Sequence, residues 1–225
     1  MRLTLEAPFR SLKFQFQRHR HSAQTVRLAI ALYQQGLSFR QVSLALERLG
    51  QPVSHVTVWR WLQRCGQLLE GNLWRGNLPD TVVVDETILR TGWGKRYLYA
   101  AIDPKTRAVL FMSGYPQRST WVTYDFFKEW IQSSTGPRPK RVVVDGGPWY
   151  VWPLRWLKLR RSVMRGGIRS YVERCFRYLK QRMSGLDRYF PRGKDYRSLA
   201  NWLRVYVWYY NHIRKAVPLP TSLLR

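Results

Sequence analysis

Two runs of three valines, each closed by an aspartate, constrain this chain more than any other feature: Thr81-Val82-Val83-Val84-Asp85 and Arg141-Val142-Val143-Val144-Asp145. Short, β-branched, continuously apolar runs suit strands buried on both faces. An acid at the end of such a run has little structural use. In the second run the backbone then breaks at Gly146-Gly147-Pro148. Neighbouring strands lie about 5 Å apart, so two carboxylates on adjacent strands repel and are poorly solvated unless a divalent cation sits between them. Magnesium takes oxygen ligands and bridges phosphate oxygens to one or two protein carboxylates. Two such ions activate a hydroxyl and stabilise the leaving oxygen of an in-line displacement. Asp85 and Asp145 are therefore the candidate catalytic and metal-binding residues, with two Mg (or Mn) ions as the expected cofactor. Glu86 points to the opposite face from Asp85 by strand alternation and is set aside.

The charge balance names the partner. Lys and Arg number 39 against 13 Asp and Glu, a net charge of +26 over 225 residues. Such an excess favours a polyanion, and nucleic acid is the usual one. No apolar run approaches the roughly 18 residues of a spanning helix, and the N-terminus does not read as a signal peptide. Cys65 and Cys175 stand far apart with no Cys or His cluster around them, which argues against zinc and against a disulfide framework. A cytoplasmic, nucleoid-associated protein is expected. Its 11 tryptophans suit base stacking or, for most of them, the core.

Residues 1–21 read as a basic arm or as an unstructured terminus. Residues 22–68 carry three helical stripes: Val26, Ala29, Ile30 and Tyr33; Val42, Ala45, Leu46 and Leu49; and Val58, Trp61, Leu62 and Cys65. Ser38 with Gln41 reads as a capping box at the start of the second helix. Three short amphipathic helices make a small all-α helix-turn-helix module. Its third helix then offers His55, Thr57, Arg60, Gln63 and Arg64 to the major groove. The competing reading is a helical hairpin that only packs on the main domain. Residues 69–80, with two Gly-Asn pairs, read as a linker. Residues 81–215 form the main domain: three antiparallel strands, a helix with stripe Trp121, Tyr124, Phe127, Trp130 and Ile131, the buried strand, a short helix, an edge strand and two helices. Residues 216–225 are a tail. The expected class is α/β, and the order β-β-β-α-β-α-β-α-α resembles a ribonuclease-H-like mixed sheet flanked by helices.

A third ligand is less determined by the residues. Glu173 lies 28 positions after Asp145 on a helix that could approach the sheet edge, but Ser170-x-x-Glu173 also reads as a capping box.

A helix-turn-helix followed by "VVVDET", "AAID", "VVVDGGPWY" and "SYVERCFRYLKQR" resembles the DDE transposases of insertion sequences, above all the archaeal members related to insertion-sequence family six. The resemblance runs from residue 22 to about 215. It implies a retroviral-integrase-type catalytic core with Asp85, Asp145 and Glu173 as the metal-binding triad. The family's basic residue seven positions after the glutamate matches Lys180, and Arg177 shares its helix face, so both are expected on DNA phosphates. Ser170 stands where such helices often carry Asn, and the Asp145–Glu173 interval is shorter than in bacterial relatives.

The implied activity is metal-dependent cleavage at the ends of an element followed by strand transfer, with no covalent protein intermediate. Double-stranded DNA is the expected partner, as element terminal repeats and as target, with a homo-oligomer forming on it and no small-molecule substrate. Two other classes compete. One is a catalytically inactive, transposase-derived DNA-binding regulator; the other is a ribonuclease-H-type nuclease without strand transfer.

Overall fold

A computed structural model describes residues 21–69, 78–91, 94–134, 136–163, 168–183 and 197–214. The arm expected at residues 1–21 (save His21), most of the linker and the tail lie outside the described residues. Along the chain run α1 (Ala23–Gln34), α2 (Phe39–Arg48), α3 (His55–Leu68), β1 (Thr81–Thr91), β2 (Gly94–Ile102), β3 (Val109–Tyr115), α4 (Thr120–Ser133), β4 (Arg141–Val144), α5 (Val151–Trp156), β5 (Arg161–Val163), α6 (Ile168–Met183) and α7 (Arg197–Tyr209). A 3-10 turn, Pro148–Tyr150, precedes α5, and a π turn, Tyr210–Arg214, follows α7. These elements form two units, one of β1–β5 with α4–α6 and one of α1–α3 with α7.

In the helical unit each of the first three helices starts on a serine whose side chain accepts a backbone N–H three residues on: Ser22 from Thr25, Ser38 from Gln41 and Ser54 from Thr57. Those N–H groups have no partner inside the helix, so the caps satisfy them. The reciprocal bond of the capping box is also formed, Gln41 Oε1 accepting from the Ser38 N–H at 2.8 Å. Val26, Ala29, Ile30, Tyr33, Val42, Leu46, Val58, Trp61, Leu62 and Cys65 are buried as their spacing predicts. Leu49 is not: it is exposed, because α2 ends at Arg48 and Leu49 is only its C-cap.

The last helix corrects the expected domain boundary. The periodicity assigns residues 81–215 to one domain, yet α7 belongs with α1 and α3. Trp202 Nε1 donates to the Tyr33 hydroxyl at 2.9 Å, Gln35 Nε2 to the Tyr209 hydroxyl at 2.6 Å, and Gln63 Nε2 to the Ser198 carbonyl at 3.2 Å. An apolar stripe states that a helix buries a face and not which partner covers it. Here nearly the whole circumference from Val205 to Tyr209 is buried, as for a helix surrounded by packing partners. The backbones of α3 and α7 meet at Gly66, where an added Cβ would stand 2.4 Å from the Asn201 carbonyl oxygen.

In the sheet unit the order is β3-β2-β1-β4-β5. β1, β2 and β3 are antiparallel neighbours, while β1–β4 and β4–β5 are parallel. This is the ribonuclease-H-like mixed sheet that the element order predicts. On one face Val82, Val84, Tyr99, Ala101, Leu110, Val142 and Val144 pack with Phe126, Phe127 and Trp130 of α4 and with Tyr150 and Leu154. The α4 stripe is thus rotated from the one its aromatics suggest. Thr123, Phe126, Phe127 and Trp130 are inside, while Trp121 is 68% exposed. α6 contacts β1 and buries Val172, Cys175, Phe176, Leu179 and Met183 at helical spacing.

Replacing Gly66 by Ala forces α3 and α7 apart, since the obstacle is backbone. The expected cost is about 1–3 kcal/mol, seen as a lower midpoint in chemical denaturation of the full chain.

Candidate active site

The parallel pairing of β1 with β4 sets Thr81 against Arg141, Val82 against Val142 and Val83 against Val143. Two steps further at the same offset stand Asp85 and Asp145, so the register brings side by side the two acids singled out in the sequence. Asp85 is still inside β1, opposite Ala100 of β2. Asp145 follows the last residue of β4. Both are half-buried. Backbone N–H groups orient both carboxylates: Asp85 Oδ1 accepts from Glu86 at 2.9 Å, and Asp145 Oδ1 accepts from Gly147 at 2.9 Å.

Glu86 joins them. Asp85, Glu86 and Asp145 each present a carboxylate oxygen, and these oxygens all lie within 4.8 Å of one another. Setting Glu86 aside by alternation is therefore corrected. The backbone direction does alternate, but a glutamate side chain is long enough to return towards the strand end. Its side chain is only 4% exposed, and an Arg118–Glu86 ion pair of 3.0 Å compensates it. The Tyr150 hydroxyl donates to its other oxygen. The signal was present in the sequence as a carboxylate adjacent to Asp85; its partners, Arg118 and Tyr150, come from remote segments and were not legible.

Glu173 is exposed on α6, the helix that contacts β1. Among the described residues the close oxygen cluster contains Asp85, Glu86 and Asp145 and not Glu173. The capping alternative for this region does not hold, because α6 begins at Ile168 and so Ser170 lies inside the helix. Arg177 and Lys180 are exposed, as is Glu173, and the three share one face by spacing. Of the residues expected to read DNA, His55, Arg60 and Arg64 are exposed on α3. Thr57 is engaged at the cap, its hydroxyl 2.9 Å from that of Ser54. Gln63 donates to Ser198 and accepts from the Asn201 amide at 3.0 Å, so its amide serves the packing of α7.

Three carboxylates this close repel one another, and Arg118 compensates one of them, Glu86. An oxygen-only donor set of this kind fits a hard divalent cation such as Mg or Mn better than a thiolate- or imidazole-seeking metal. Tyr150 is buried, and burial first, then the charge of Glu86 and its hydrogen bond, hold its hydroxyl well above the ordinary tyrosine range. It is therefore a donor at any physiological pH and not a base. Cys65, which burial pushes up to about 12, is inert.

The two glycines after Asp145 are not equivalent. A Cβ on Gly146 would meet nothing within 4 Å, whereas one on Gly147 would stand 2.5 Å from the Trp149 ring and 2.9 Å from Asp145 Oδ1. Gly146→Ala is expected to leave divalent-ion affinity unchanged. Gly147→Ala is expected to weaken it by roughly tenfold or more, as for other changes to groups that orient ligands; Mn titration of the full chain measures both.

Residues 80–199 match the family described as a DDE domain. Over 217 residues the chain is 31% identical to an uncharacterized protein of Methanocaldococcus jannaschii, a match covering 95% of this chain and 99% of that one. It is 30% identical over 115 residues to the transposase for insertion sequence-like element IS431mec of Staphylococcus aureus, covering 50% of each chain. Among solved structures it is similar to the HTLV-2 integrase catalytic core domain in complex with magnesium, at 20% identity and a TM-score of 0.48 over 62% of this chain and 91% of that one. With the DDE domain spanning more than half of its residues, the chain belongs to the DDE transposase family of insertion sequences.

Proposed function

We infer that this protein is a transposase that binds the ends of its insertion sequence and carries out metal-dependent strand cleavage and strand transfer. The observation that supports this best is the side-by-side register of Asp85 and Asp145 at the parallel β1–β4 pair. Asp85 and Asp145 hold the metal, and Glu173 completes the triad by its motif position on α6. Two divalent ions bound there supply activation of the attacking hydroxyl and stabilisation of the leaving oxygen. Water attacks at the element end and frees a 3′-hydroxyl, which then attacks a target phosphodiester. Each step forms one P–O bond and breaks another, so no serine or tyrosine nucleophile is required.

The remaining residues bind DNA. Arg177 and Lys180, one and two turns beyond Glu173, contact phosphates next to the reacting group. His55, Arg60 and Arg64 of α3 contact the terminal repeats through a helix-turn-helix, with Thr57 at the start of that helix. Gln63 is withdrawn from this set, since its amide is hydrogen-bonded to α7. Two DNA ends must be joined, so the working species on DNA is a homo-oligomer. No helix among the described residues is long and apolar enough to cross a membrane, and the proposed setting is the cytoplasm, on the nucleoid.

The test mixes the full chain with DNA bearing the element's inverted repeats and with Mg. Strand-transfer products are expected from the native chain and none from Asp145→Asn or Glu173→Gln, with end binding retained in both. Binding without any cleavage by the native chain establishes the inactive regulator instead, and cleavage without transfer establishes a nuclease.

DNA affinity is expected to fall steeply and linearly with salt on logarithmic axes. Arg60→Ala is expected to reduce that slope by about one if Arg60 neutralises a phosphate.

A further inference from the structure

We propose that Glu86 is a positioning residue which, with Arg118 and Tyr150, ties the turn after β4 to β1 and so sets the separation of the Asp85 and Asp145 carboxylates. This rests on the metal-site reading above and assigns to Glu86 a role distinct from that of the ligands.

The need for such a tie follows from where the sheet ends. The β1–β4 pairing stops at Val83 and Val143, and β4 itself ends at Val144. The register brings Asp145 to the level of Asp85, and the turn that follows fixes its side chain. In that turn its Oδ1 is held by the Gly147 N–H at 2.9 Å. Gly147 in turn lies under the Trp149 ring, so closely that a Cβ would overlap it. The Arg118 guanidinium sits 3.8 Å from the centroid of the Trp149 ring and 5.7 Å from that of Tyr97. Arg118 is paired with Glu86 at 3.0 Å. One residue beyond Trp149, the Tyr150 hydroxyl donates to the second Glu86 oxygen. Tyr150 is itself fully buried, with ring contacts to Tyr99 and Phe127. Two adjacent residues of the turn thus grip the same carboxylate of β1, one directly and one through Arg118.

The same contacts argue against Glu86 as a ligand. Its side chain is 4% exposed, and each carboxylate oxygen already accepts from a strong donor. Turning it to a cation would leave a guanidinium and a buried hydroxyl without partners. Breaking a buried pair in this way is costly.

The test is Mn affinity of the full chain without DNA, read from the electron paramagnetic resonance of free Mn. The variants are Glu86→Gln, Tyr150→Phe, Arg118→Met and Asp145→Asn, each checked for folding by circular dichroism. Tyr150→Phe and Arg118→Met remove no carboxylate, yet are expected to weaken Mn binding by about 10–100-fold, as loss of groups that orient ligands does. Glu86→Gln, which can still accept from Tyr150, is expected to bind Mn more tightly than Asp145→Asn does. If Glu86→Gln is as damaging as Asp145→Asn while Tyr150→Phe binds like the native chain, Glu86 is a ligand and the proposal is overturned. Should Arg118→Met fail to fold, Tyr150→Phe alone decides between these outcomes. Native chain with no saturable Mn binding refutes the metal-site reading itself, and the proposal with it; native binding with unaffected variants refutes only the positioning role.

Discussion

The parallel ladder between β1 and β4 is the constraint from which the site follows. Parallel pairing at a constant offset aligns Val82 with Val142 and Val83 with Val143, and so forces the next acids on each strand towards one place. The apolar run drives each strand into the interior, and the charge at its end is carried along. A one-residue slip would turn Val82 and Val84 away from the core they share with Phe126, Phe127 and Trp130. The hydrophobic register therefore enforces the electrostatically unfavourable meeting of Asp85 and Asp145. Folding energy is spent to create a pocket that a cation can relieve.

That pocket sits in a chain of opposite character. With 13 acids against 39 basic residues, carboxylates are scarce, and several have structural partners. Asp80 pairs with Lys140 at 3.0 Å, and Asp103 closes the β2–β3 turn by accepting from Lys105 and Thr106. Glu86 is neutralised by Arg118. An acidic cluster in a chain with excess positive charge suits both a cation and a polyanion, and the proposed phosphoryl transfer on DNA would use both.

Much of this was legible because it depends on local chemistry. The capping box of Ser38 with Gln41, the strands that carry the two valine runs before Asp85 and Asp145, and the buried stripes of α1 and α3 all appear where spacing and side-chain type put them. The departures have separate causes. Trp121 was expected inside α4 and is exposed, because an aromatic stripe can be read in more than one phase on a short helix. Gln63 looked suited to reading adenine but is engaged by Ser198 and Asn201, which arrive from a segment more than a hundred residues away. Glu86 was excluded by an alternation rule that governs where the backbone aims a side chain and not how far a flexible one returns.

By itself the sequence determined which segments become strands and helices and which acids follow the buried valine runs. Those outcomes follow from periodicity, capping and β-branching within a few residues. It also determined the family, through motifs that survive as contiguous text. Tertiary structure alone decided that α7 packs with α1 and α3, that Glu86 enters the carboxylate cluster, and that Arg118 and Tyr150 restrain it. The physical reason is that hydrogen bonds and ion pairs between distant segments depend on distances in space, which no local pattern of side chains records.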